Sequence, residues 1–427
     1  MKLIDGIPVW GDPVDEGALE QIKRCAKTAD YVALMADHHK GYSVPIGGVV
    51  AYRDKISPSG VGFDIGCGNK AVLTDLHGTD LAPEISPIMD TIWSRISFGI
   101  GQKNNVKVDH ELFDDDPAWS IPAVGALKEM ARGQLGTVGS GNHYVDIFLD
   151  TKNRVWIGVH FGSRGLGHRI ATYFLEQAGA TDQMDAPPCV LDVDSPIGSD
   201  YLCAMALAGR YAYAGRDWVC SEVARILGGK ILDEVHNHHN FAWREIHNGR
   251  KLWVVRKGAT PAFPGQRGFI GSSMGEPSYI IQGLGNSDSL SSTVHGAGRV
   301  MSRTKARGKQ KRRKVWQCGN YRSCSVQLPI KTQGENGANP KCPSCGSKTH
   351  KRETLEQISA GVVSKEMMQG WVQGIELRGA GLDESPDCYK RLPEVLAHHE
   401  GSIEIMETLK PIGVAMAGAD EFDPYKD

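Results

Sequence analysis

Residues 60–69 read Gly-Val-Gly-Phe-Asp-Ile-Gly-Cys-Gly-Asn, and this stretch decides how the fold is interpreted. Glycine occupies four of the ten positions, which is typical of a tight turn or of backbone that closely approaches a ligand. Asp64 and Cys67 lie three residues apart within the turn. A carboxylate and a thiolate are both metal ligands, so this stretch is a candidate metal-binding loop.

Similar glycine clusters recur along the chain, at residues 136–143 and 159–167. The apolar runs beside such clusters predict buried strands at Val155–Val159 and Trp253–Val255. Apolar residues at helical spacing predict helices over three ranges: Glu16–Thr28, Tyr201–Leu227 and Leu392–His399. The pattern favours the α/β class, with one large mixed α/β catalytic domain whose polar site residues lie on loops after strands.

The composition is that of a globular protein. The chain has 427 residues, of which 41% are hydrophobic and 23% charged, and its formal net charge is -2. This charge excludes a uniformly basic surface but not a local basic groove. The first residues lack the apolar run of a signal peptide, and no stretch reaches the ~18 apolar residues that span a bilayer. The spacing of the ten cysteines favours buried thiols and metal ligands over disulfides, so we expect a soluble cytoplasmic protein with no membrane partner.

Several histidines lie in or beside the glycine-rich loops. His143 ends one loop, His160 follows an apolar run, and His239 lies in a cluster of histidines. Alone, each is more commonly a hydrogen-bonded structural residue, and Cys67 alone is more commonly a small buried hydrophobe. Together with Asp64 these side chains suit manganese, iron or zinc. The thiolate favours zinc, whereas the carboxylate with imidazoles favours manganese.

Three further loops could contact an anion. Residues 256–260 (RKGAT) follow a predicted strand, and residues 271–275 (GSSMG) offer unobstructed backbone amides. Neither matches the P-loop pattern GxxxxGK[ST], so any nucleotide would be bound in another way. Residues 295–299 (HGAGR) place His295 four residues before Arg299. Such a histidine can act as a nucleophile or as a general acid or base, with the arginine contacting phosphate.

A segment of different composition interrupts the chain at residues 305–351. Eight of the twelve residues from 303 to 314 are basic, including Lys311, Arg312 and Arg313, which are candidate phosphate or RNA contacts. Four cysteines follow: Cys318, Cys324, Cys342 and Cys345. Their spacing predicts a zinc-ribbon-like insertion, although five residues separate the first pair where two to four are usual. His350 is a candidate replacement ligand, and the alternatives are a reduced loop without metal and a solvated basic tether.

Eight motifs occur in a fixed order, and together they resemble the RtcB family of RNA ligases. They are DHHKGYSVPIGGVV, SPSGVGFDIGCGNKAV, GTVGSGNHYVDI, VHFGSRGLGH, HHNF, RKGATPAFPG, SSMGEPSY and HGAGRVMSR. The resemblance covers about residues 30–304 and 352–418. It implies an RtcB-like catalytic domain formed by residues 1–304 and 352–427, with residues 305–351 inserted between them.

The resemblance also implies the chemistry of the site: two Mn(2+) ions, GTP as cofactor and a histidine that becomes covalently guanylylated. By position, it implies metal ligands at Asp64, Cys67, His143, His160 and His239, with Cys67 bridging both ions. It implies that His295 is the catalytic, guanylylated residue. Further residues are implied to contact the nucleotide or its phosphates: Asn142, Asp146, Asn240, Lys257, Ser273, Ser278, Gly296, Ala297, Gly298, Tyr389 and Arg299.

The family joins RNA 3′-phosphate or 2′,3′-cyclic phosphate ends to 5′-hydroxyl ends, in RNA repair or tRNA splicing, and often works with archease. We therefore expect an RNA ligase whose partners are such RNA ends, GTP and archease. Two positions depart from the family pattern. Asp146 replaces a glutamate and Met416 replaces a lysine, for which Lys410 is a candidate substitute. These departures leave open a cyclic phosphodiesterase or an RNA-binding regulator, but the nucleophile His295 favours the ligase.

Overall fold

The computed structural model describes residues 1–81, 83–320, 324 and 326–418. Residues 419–427, the end of the predicted C-terminal segment, lie outside this part. The strands in chain order are β1 (Lys2–Ile4), β2 (Ile7–Val9), β3 (Tyr31–His39), β4 (Ile46–Tyr52), β5 (Lys55–Ile56), β6 (Gly68–His77), β7 (Tyr144–Leu149), β8 (Arg154–Phe161), β9 (Leu191–Asp192), β10 (Ile231–His238), β11 (Asn240–His247), β12 (Arg250–Lys257), β13 (Ala259–Pro261), β14 (Arg267–Ile270), β15 (Ser278–Gly283), β16 (Ser292–Val294), β17 (Gln310–Cys318), β18 (Gln327–Pro329), β19 (Thr349–Gln357), β20 (Glu376–Ala380) and β21 (Ile403–Gly418).

Helices of different lengths connect and cover these strands. They are α1 (Glu16–Ala26), α2 (Pro58–Val61), α3 (Gly78–Leu81), α4 (Ile85–Arg95), α5 (Pro122–Gly125), α6 (Lys128–Gln134), α7 (Arg164–Gln177), α8 (Pro196–Leu227), α9 (Arg303–Arg307), α10 (Lys365–Trp371) and α11 (Leu392–Ala397). Among the helices so described, none is long and apolar enough to cross a membrane.

The first sheet has the strand order β1-β2-β3-β4-β12-β11. Its strand β3 is buried over most of its length because helices and strands cover both faces. On one face α1 packs through Ala18, Ile22 and Cys25, which recur at helical spacing and are buried. Asp15 caps this helix by accepting a hydrogen bond from the backbone N–H of Ala18 at 2.7 Å. The apolar cluster on the other face includes residues of α11 and β16.

The second sheet has the order β10-β6-β8-β7-β21-β15-β14, with β20 beside β21. Its central strands are buried on both faces. Successive side chains of β7 point to opposite faces, and each face packs against a different apolar cluster. Val145 and Ile147 belong to the apolar cluster formed with α4 and α8, whereas Phe148 belongs to a separate cluster with Phe269 of β14. This double cover explains why the sequence of these strands is almost continuously apolar.

The long helix α8 packs against one face of the second sheet. Ser195 caps its N-terminus by accepting a hydrogen bond from the N–H of Gly198 at 3.1 Å, and the helix ends at Gly228, whose φ is +76°. At 1.5 Å per residue, its 32 residues span about 48 Å. The helix packs against β6, β8 and α7, and Gly209 and Ala212 in its middle lie against Gly66 of the candidate metal-binding loop.

The sequence predicted these elements well. The helix predicted at Glu16–Thr28 is α1, and the one predicted at Leu392–His399 is α11. The helix predicted at Tyr201–Leu227 begins five residues earlier, at Pro196, because Ser195 supplies the cap. The predicted strands lie within β8 and β12. The mixed α/β class is therefore confirmed.

The predicted insertion contains a separate antiparallel sheet of order β18-β17-β19. We call β17, β18, β19 and the loops between them the inserted sheet. The register of β17 and β19 runs from Gln310 opposite Gln357 to Cys318 opposite Thr349. The predicted boundary at Lys351 falls inside β19, because this strand stays paired with β17 up to Gln357.

Candidate active site

Polar residues from four segments meet at one end of the second sheet. Cys67 directly precedes β6, His143 directly precedes β7, His160 is near the end of β8, and His239 directly follows β10. These strands are antiparallel neighbours, and the register places Asn69, the second residue of β6, opposite His160. The first residues of β6 and β7 and the last residues of β8 and β10 therefore lie at the same end of the sheet.

The side chains of these residues form a chain of short distances. His143 Nε2 lies 3.0 Å from Asp64 Oδ2 and 3.6 Å from Cys67 Sγ. The same Sγ lies 3.3 Å from His160 Nε2, which lies 3.3 Å from His239 Nε2. Cys67 therefore lies in the middle of these five side chains, with Asp64 and His143 on one side and His160 and His239 on the other. The structure brings all five predicted ligands together.

The protonation of these groups suits metal binding. His160 Nδ1 lies 3.0 Å from the carbonyl oxygen of Asn142, and because a carbonyl only accepts, Nδ1 carries the proton and Nε2 the lone pair. Burial lowers the pKa of His160 and of His239 well below the usual value. Burial opposes ionisation of Asp64, but the hydrogen bond from His143 and its charge outweigh burial and lower the pKa to about 2.

The donor set fits a divalent transition metal. Burial raises the pKa of Cys67, so this thiol would ionise on binding a cation. His239 Nδ1 is buried and has no hydrogen-bond partner among the described residues. The lone pair on His160 Nε2 faces other electron-rich atoms, an arrangement that a shared proton or a bound cation would stabilise. One thiol, one carboxylate and three imidazoles suit manganese, iron or zinc.

Two glycines permit this close packing. Gly66 has a φ of +71°, which side chains rarely adopt, and it turns the chain between Asp64 and Cys67. A Cβ atom on Gly162 would collide with the carboxylate of Asp64. The glycine-rich loops are therefore required both for the turn and for the close approach of neighbouring backbone.

A buried arginine ties two of these segments together. Arg216 of α8 is fully buried and donates hydrogen bonds to the carbonyl oxygens of Gly66 at 2.9 Å and Phe161 at 2.5 Å. It also contacts His236 Nε2 at 2.8 Å and His238 Nδ1 at 2.9 Å. Gly66 and Phe161 are the chain neighbours of two predicted ligands, so one guanidinium fixes both ligand-bearing segments.

The predicted nucleophile lies beside the metal-ligand cluster. The rings of His295 and His239 are 4.7 Å apart. His295 Nδ1 lies 2.6 Å from Asp37 Oδ2, which also accepts the backbone N–H of His295 at 3.0 Å. Nδ1 of His295 therefore carries a proton, which it donates to Asp37, and Nε2 of His295 carries a lone pair. Sequence reasoning missed Asp37, although an acid in an otherwise apolar buried strand is a detectable signal.

A cleft of about 1410 Å³ contains both groups. Besides the five ligands and His295, other residues predicted to bind the nucleotide or its phosphates line it: Asn142, Asp146, Asn240, Lys257, Ser273, Gly296, Ala297, Gly298, Arg299 and Tyr389. Asp146 is buried, its Oδ1 has no hydrogen-bond partner among the described residues, and burial raises its pKa well above the usual value. Burial thus favours the neutral form of this carboxyl group, which can both donate and accept a hydrogen bond.

Some predicted residues lie outside the cleft or are already engaged. Ser278 does not line it, and its hydroxyl accepts the N–H of Ser272 at 3.0 Å. Lys257 lines the cleft, but its Nζ donates to the carbonyl oxygens of Tyr42 at 2.6 Å and Ser59 at 3.1 Å. Lys410 is exposed and lies six residues along β21 from Met416, about 20 Å at 3.3 Å per residue, so it cannot substitute for a lysine at that position.

A network of ion pairs forms the rim beside Tyr389. Arg299 donates to the Tyr389 hydroxyl and to the carbonyl oxygen of Asp383, each at 2.9 Å. Arg303 pairs with the carboxylates of Asp383 and Glu384. Sequence reasoning identified Arg299 and Tyr389 but missed the two buried acids, because acids five and six residues before a tyrosine have no pattern of their own.

The four cysteines of the inserted sheet also converge. Their Sγ atoms all lie within 4.8 Å of one another, with Cys318 3.4 Å from Cys345 and Cys324 3.6 Å from Cys342. His350 is outside this group. The basic residues of β17 are partly neutralised, because Arg312 pairs with Glu353 at 3.4 Å and Arg313 with Glu356 at 3.3 Å.

Comparison with known proteins assigns the chain to a family. The family model described as tRNA-splicing ligase RtcB matches residues 18–125 and 121–340. The chain belongs to the RtcB family. It is similar to the RNA-splicing ligase RtcB of Escherichia coli K12, with 33% identity over 70% of this chain and 83% of the relative. It is also similar to the tRNA-splicing ligases RtcB of Thermococcus kodakarensis, with 32% identity over 70% and 80%, and of Aeropyrum pernix, with 28% identity over 90% and 87%.

The matched residues include the whole candidate metal centre. Asp64, Cys67, His143, His160 and His239 all lie within the segments that match the RtcB model, as does His295. Membership of the RtcB family therefore rests on the part of the chain that contains the five candidate ligands and His295.

Proposed function

We propose that this RtcB-family protein is a GTP-dependent RNA ligase that joins 3′-phosphate or 2′,3′-cyclic phosphate ends to 5′-hydroxyl ends. The relatives are RNA-splicing and tRNA-splicing ligases, and the cleft contains the groups that such a reaction needs. The observation that carries the proposal is the position of His295, oriented by Asp37 at 2.6 Å and placed beside the metal-ligand cluster.

The arrangement of the cluster supports a site for two manganese ions. Asp64 and His143 lie on one side of Cys67, and His160 and His239 lie on the other. A thiolate between two donor pairs can be shared by two cations. Bound manganese would neutralise charge on the phosphates during their transfer.

The ligation reaction would proceed in three steps. His295 Nε2 attacks the α-phosphorus of GTP, so that an N–P bond forms and the bond to pyrophosphate breaks. The proton on Nδ1 stays on His295 throughout, hydrogen-bonded to the Asp37 carboxylate. An oxygen of the RNA 3′-phosphate then displaces the histidine and takes the GMP. Finally, the 5′-hydroxyl oxygen attacks the activated RNA phosphorus, its proton passes to water and GMP leaves, while Arg299 can stabilise the phosphate charge. A 2′,3′-cyclic phosphate end is first opened by water to the 3′-phosphate that enters this sequence.

Asp146 supports binding of the base. A carboxyl group that burial shifts toward its neutral form, and whose Oδ1 has no partner among the described residues, matches a base edge that carries both a donor and an acceptor. Met416 lines the same cleft and contributes an apolar surface for the ring. GTP binding in this chain therefore rests on Asp146 and on the glycine-rich loop at residues 296–298, without a lysine at position 416.

Incubation with GTP labelled at the α-phosphate tests the proposal. In the presence of manganese, the protein should form a covalent adduct that His295→Ala abolishes, and it should seal RNA ends of the stated chemistry. His398→Ala, a change at an exposed histidine, serves as the matched control. Opening of cyclic phosphates without an adduct would instead identify a phosphodiesterase, and RNA binding with neither activity would identify a regulator. Adding archease to the reaction tests whether a partner accelerates the adduct.

The four cysteines support a structural zinc ion in the inserted sheet. A tetrahedral Zn(2+) with Zn–S bonds of about 2.3 Å separates its sulfurs by about 3.8 Å, close to the 3.4 Å and 3.6 Å found here. These separations are too long for disulfides, in which sulfurs lie about 2.05 Å apart. A small sheet whose strands are mostly exposed has little apolar core, and a bound ion would stabilise it.

Charge supports a role of the inserted sheet in RNA binding. Residues 305–357 contain thirteen Lys and Arg and three Glu, a net charge of +10, whereas the whole chain carries -2. The remainder of the chain is therefore strongly acidic, at -12. Such segregation is typical of proteins that hold nucleic acid through one basic element. The sheet begins at Gln310, seven residues after Arg303, which lines the cleft.

A further inference from the structure

The cleft extends beyond the metal centre, along one face of α7. Its volume of about 1410 Å³ exceeds the ~300–1,000 Å³ that holds a typical small molecule. Seven residues of α7 line it at helical spacing: Arg164, Gly165, His168, Arg169, Thr172, Tyr173 and Glu176. We call this part of the cleft the α7 arm. The arm offers room that a bound nucleotide would not fill.

Aromatic rings line the arm where it leaves the metal centre. Phe63, which directly precedes Asp64, stacks on His168 with ring centroids 5.2 Å apart and an angle of 27° between the planes. Tyr42 meets Phe63 edge-on at 6.2 Å. All three rings line the cleft and remain partly exposed, as does Tyr173. A planar group entering the arm would therefore meet aromatic surface directly beside the reacting centre.

Cations accompany these rings. Arg169 and Lys103 are exposed on the cleft wall, and within the described ranges neither forms a salt bridge. Lys40 also lines the wall and pairs with Asp185 at 2.8 Å, while Arg164 stands at the start of α7. The acids of the arm are Glu176, near the end of α7, and Asp182. The arm thus combines aromatic rings with an excess of positive charge.

We propose that the α7 arm binds a single-stranded RNA end. The terminal base would stack on the pair formed by Phe63 and His168, and the backbone phosphates would face Arg169 and Lys103. Aromatic platforms beside cations are how proteins hold unpaired nucleotides, whereas a duplex keeps its bases stacked inside and offers none to a side chain. This inference rests on the proposed ligase function, because it assigns a subsite for one of the two substrate strands.

Binding of short fluorescent oligoribonucleotides to the manganese-loaded protein tests the proposal. One probe ends in a 3′-phosphate and the other in a 5′-hydroxyl, so the pair identifies which strand occupies the arm. Phe63→Leu, which keeps apolar volume but removes the ring, should weaken one of them by about fivefold or more. An abasic terminal nucleotide should abolish this difference between variant and parent. Arg169→Glu should weaken the same probe and reduce its salt dependence, whereas Arg250→Glu, at an exposed arginine outside the cleft, should not.

His168→Ala decides the outcome if Phe63→Leu disturbs the neighbouring Asp64 and lowers manganese content. Unchanged binding of both probes to a metal-loaded His168→Ala would overturn the proposal. A loss in Phe63→Leu or His168→Ala that persists with the abasic probes would overturn it as well, because stacking requires the base. The GMP adduct of the unaltered protein reports separately on the proposed function. Absence of the adduct, together with RNA binding that depends on the α7 arm, would refute the proposed ligase function but not the binding of RNA by the arm.

Discussion

Asp37 Oδ2 lies 2.6 Å from His295 Nδ1 and also accepts the backbone N–H of the same residue. Asp37 is fully buried. Burial opposes its ionisation, but the charge of His295 and the hydrogen bonds from it outweigh burial and hold the pKa of the carboxyl below its usual value. An ionised carboxylate thus fixes both the ring and the backbone of the proposed nucleophile, and it stabilises the positive charge that develops on the imidazole when Nε2 attacks phosphorus.

Asp37→Asn should slow formation of the GMP adduct by about 100-fold or more, because an amide neither stabilises that charge nor fixes the tautomer. The GTP concentration for half-maximal adduct formation should change little, since Asp37 does not line the cleft. Single-turnover labelling measures both quantities. Asp150→Asn, at another buried carboxylate that pairs with Arg154 at 2.7 Å, is the control. Adduct formation by Asp37→Asn at the parent rate would contradict the role assigned to Asp37.

Cys67→Ser and His160→Ala should each lower manganese content and ligation together. Cys67 Sγ is the middle atom of the cluster, 3.6 Å from His143 Nε2 and 3.3 Å from His160 Nε2, so its loss should affect both ions. Metal analysis after gel filtration measures the stoichiometry, with His398→Ala as the control. Two ions retained in Cys67→Ser would exclude a bridging thiolate.

Arg216→Lys should weaken manganese binding by about tenfold or more, the usual cost of losing a residue that orients metal ligands. A lysine ammonium cannot reach the carbonyl oxygens of Gly66 and Phe161 in the fork geometry of a guanidinium. Titration of the metal-free protein with manganese measures the affinity. Arg256→Lys is the matched control, because Arg256 is also fully buried but pairs with Glu245. Equal metal affinities in the two variants would show that Arg216 only stabilises the fold.

The sequence pointed to the five candidate ligands because each lies in a recognisable motif. Asp64 and Cys67 share one glycine-rich turn, and His143 ends another. Their convergence could not be read from spacing, because it depends on the antiparallel register that sets Asn69 opposite His160. Periodicity gives the existence of strands, but strand order is a long-range property that a single sequence does not encode locally.

The supporting residues were harder to predict for a different reason. Arg216 lies in a long helix whose other residues are largely apolar or small, and nothing in its neighbours shows that its guanidinium reaches Gly66. Asp383 and Glu384 bind Arg303 across about 80 residues of chain. Such partners are set by tertiary packing, so the sequence alone suggests candidate ligands more readily than the residues that pack around them.

Lys257→Met should change the pH dependence of stability. Burial lowers the pKa of Lys257 to about 7, below the value of about 10.4 expected when unfolded. Between these values the unfolded chain binds one more proton than the folded protein, so this lysine makes the free energy of unfolding rise with pH. Removing it should make the variant more stable relative to the parent at pH 6 than at pH 9, by on the order of 2 kcal/mol. Urea unfolding at both pH values measures this difference, and equal effects would show that Lys257 stays charged, as phosphate binding would require.

Deleting the inserted sheet and joining its ends by a short glycine-serine linker should separate RNA binding from chemistry. The adduct at His295 should form at nearly the parent rate, because the cysteine cluster lies at the far end of strands of nine residues, about 30 Å long at 3.3 Å per residue. RNA affinity should fall, and the salt dependence of binding should flatten, because several phosphate contacts are lost. One zinc ion per chain should disappear, and the full-length Cys342→Ser variant should lose the same ion. A folded deletion variant that cannot form the adduct, or that binds RNA with the parent salt dependence, would show that the inserted sheet has another role.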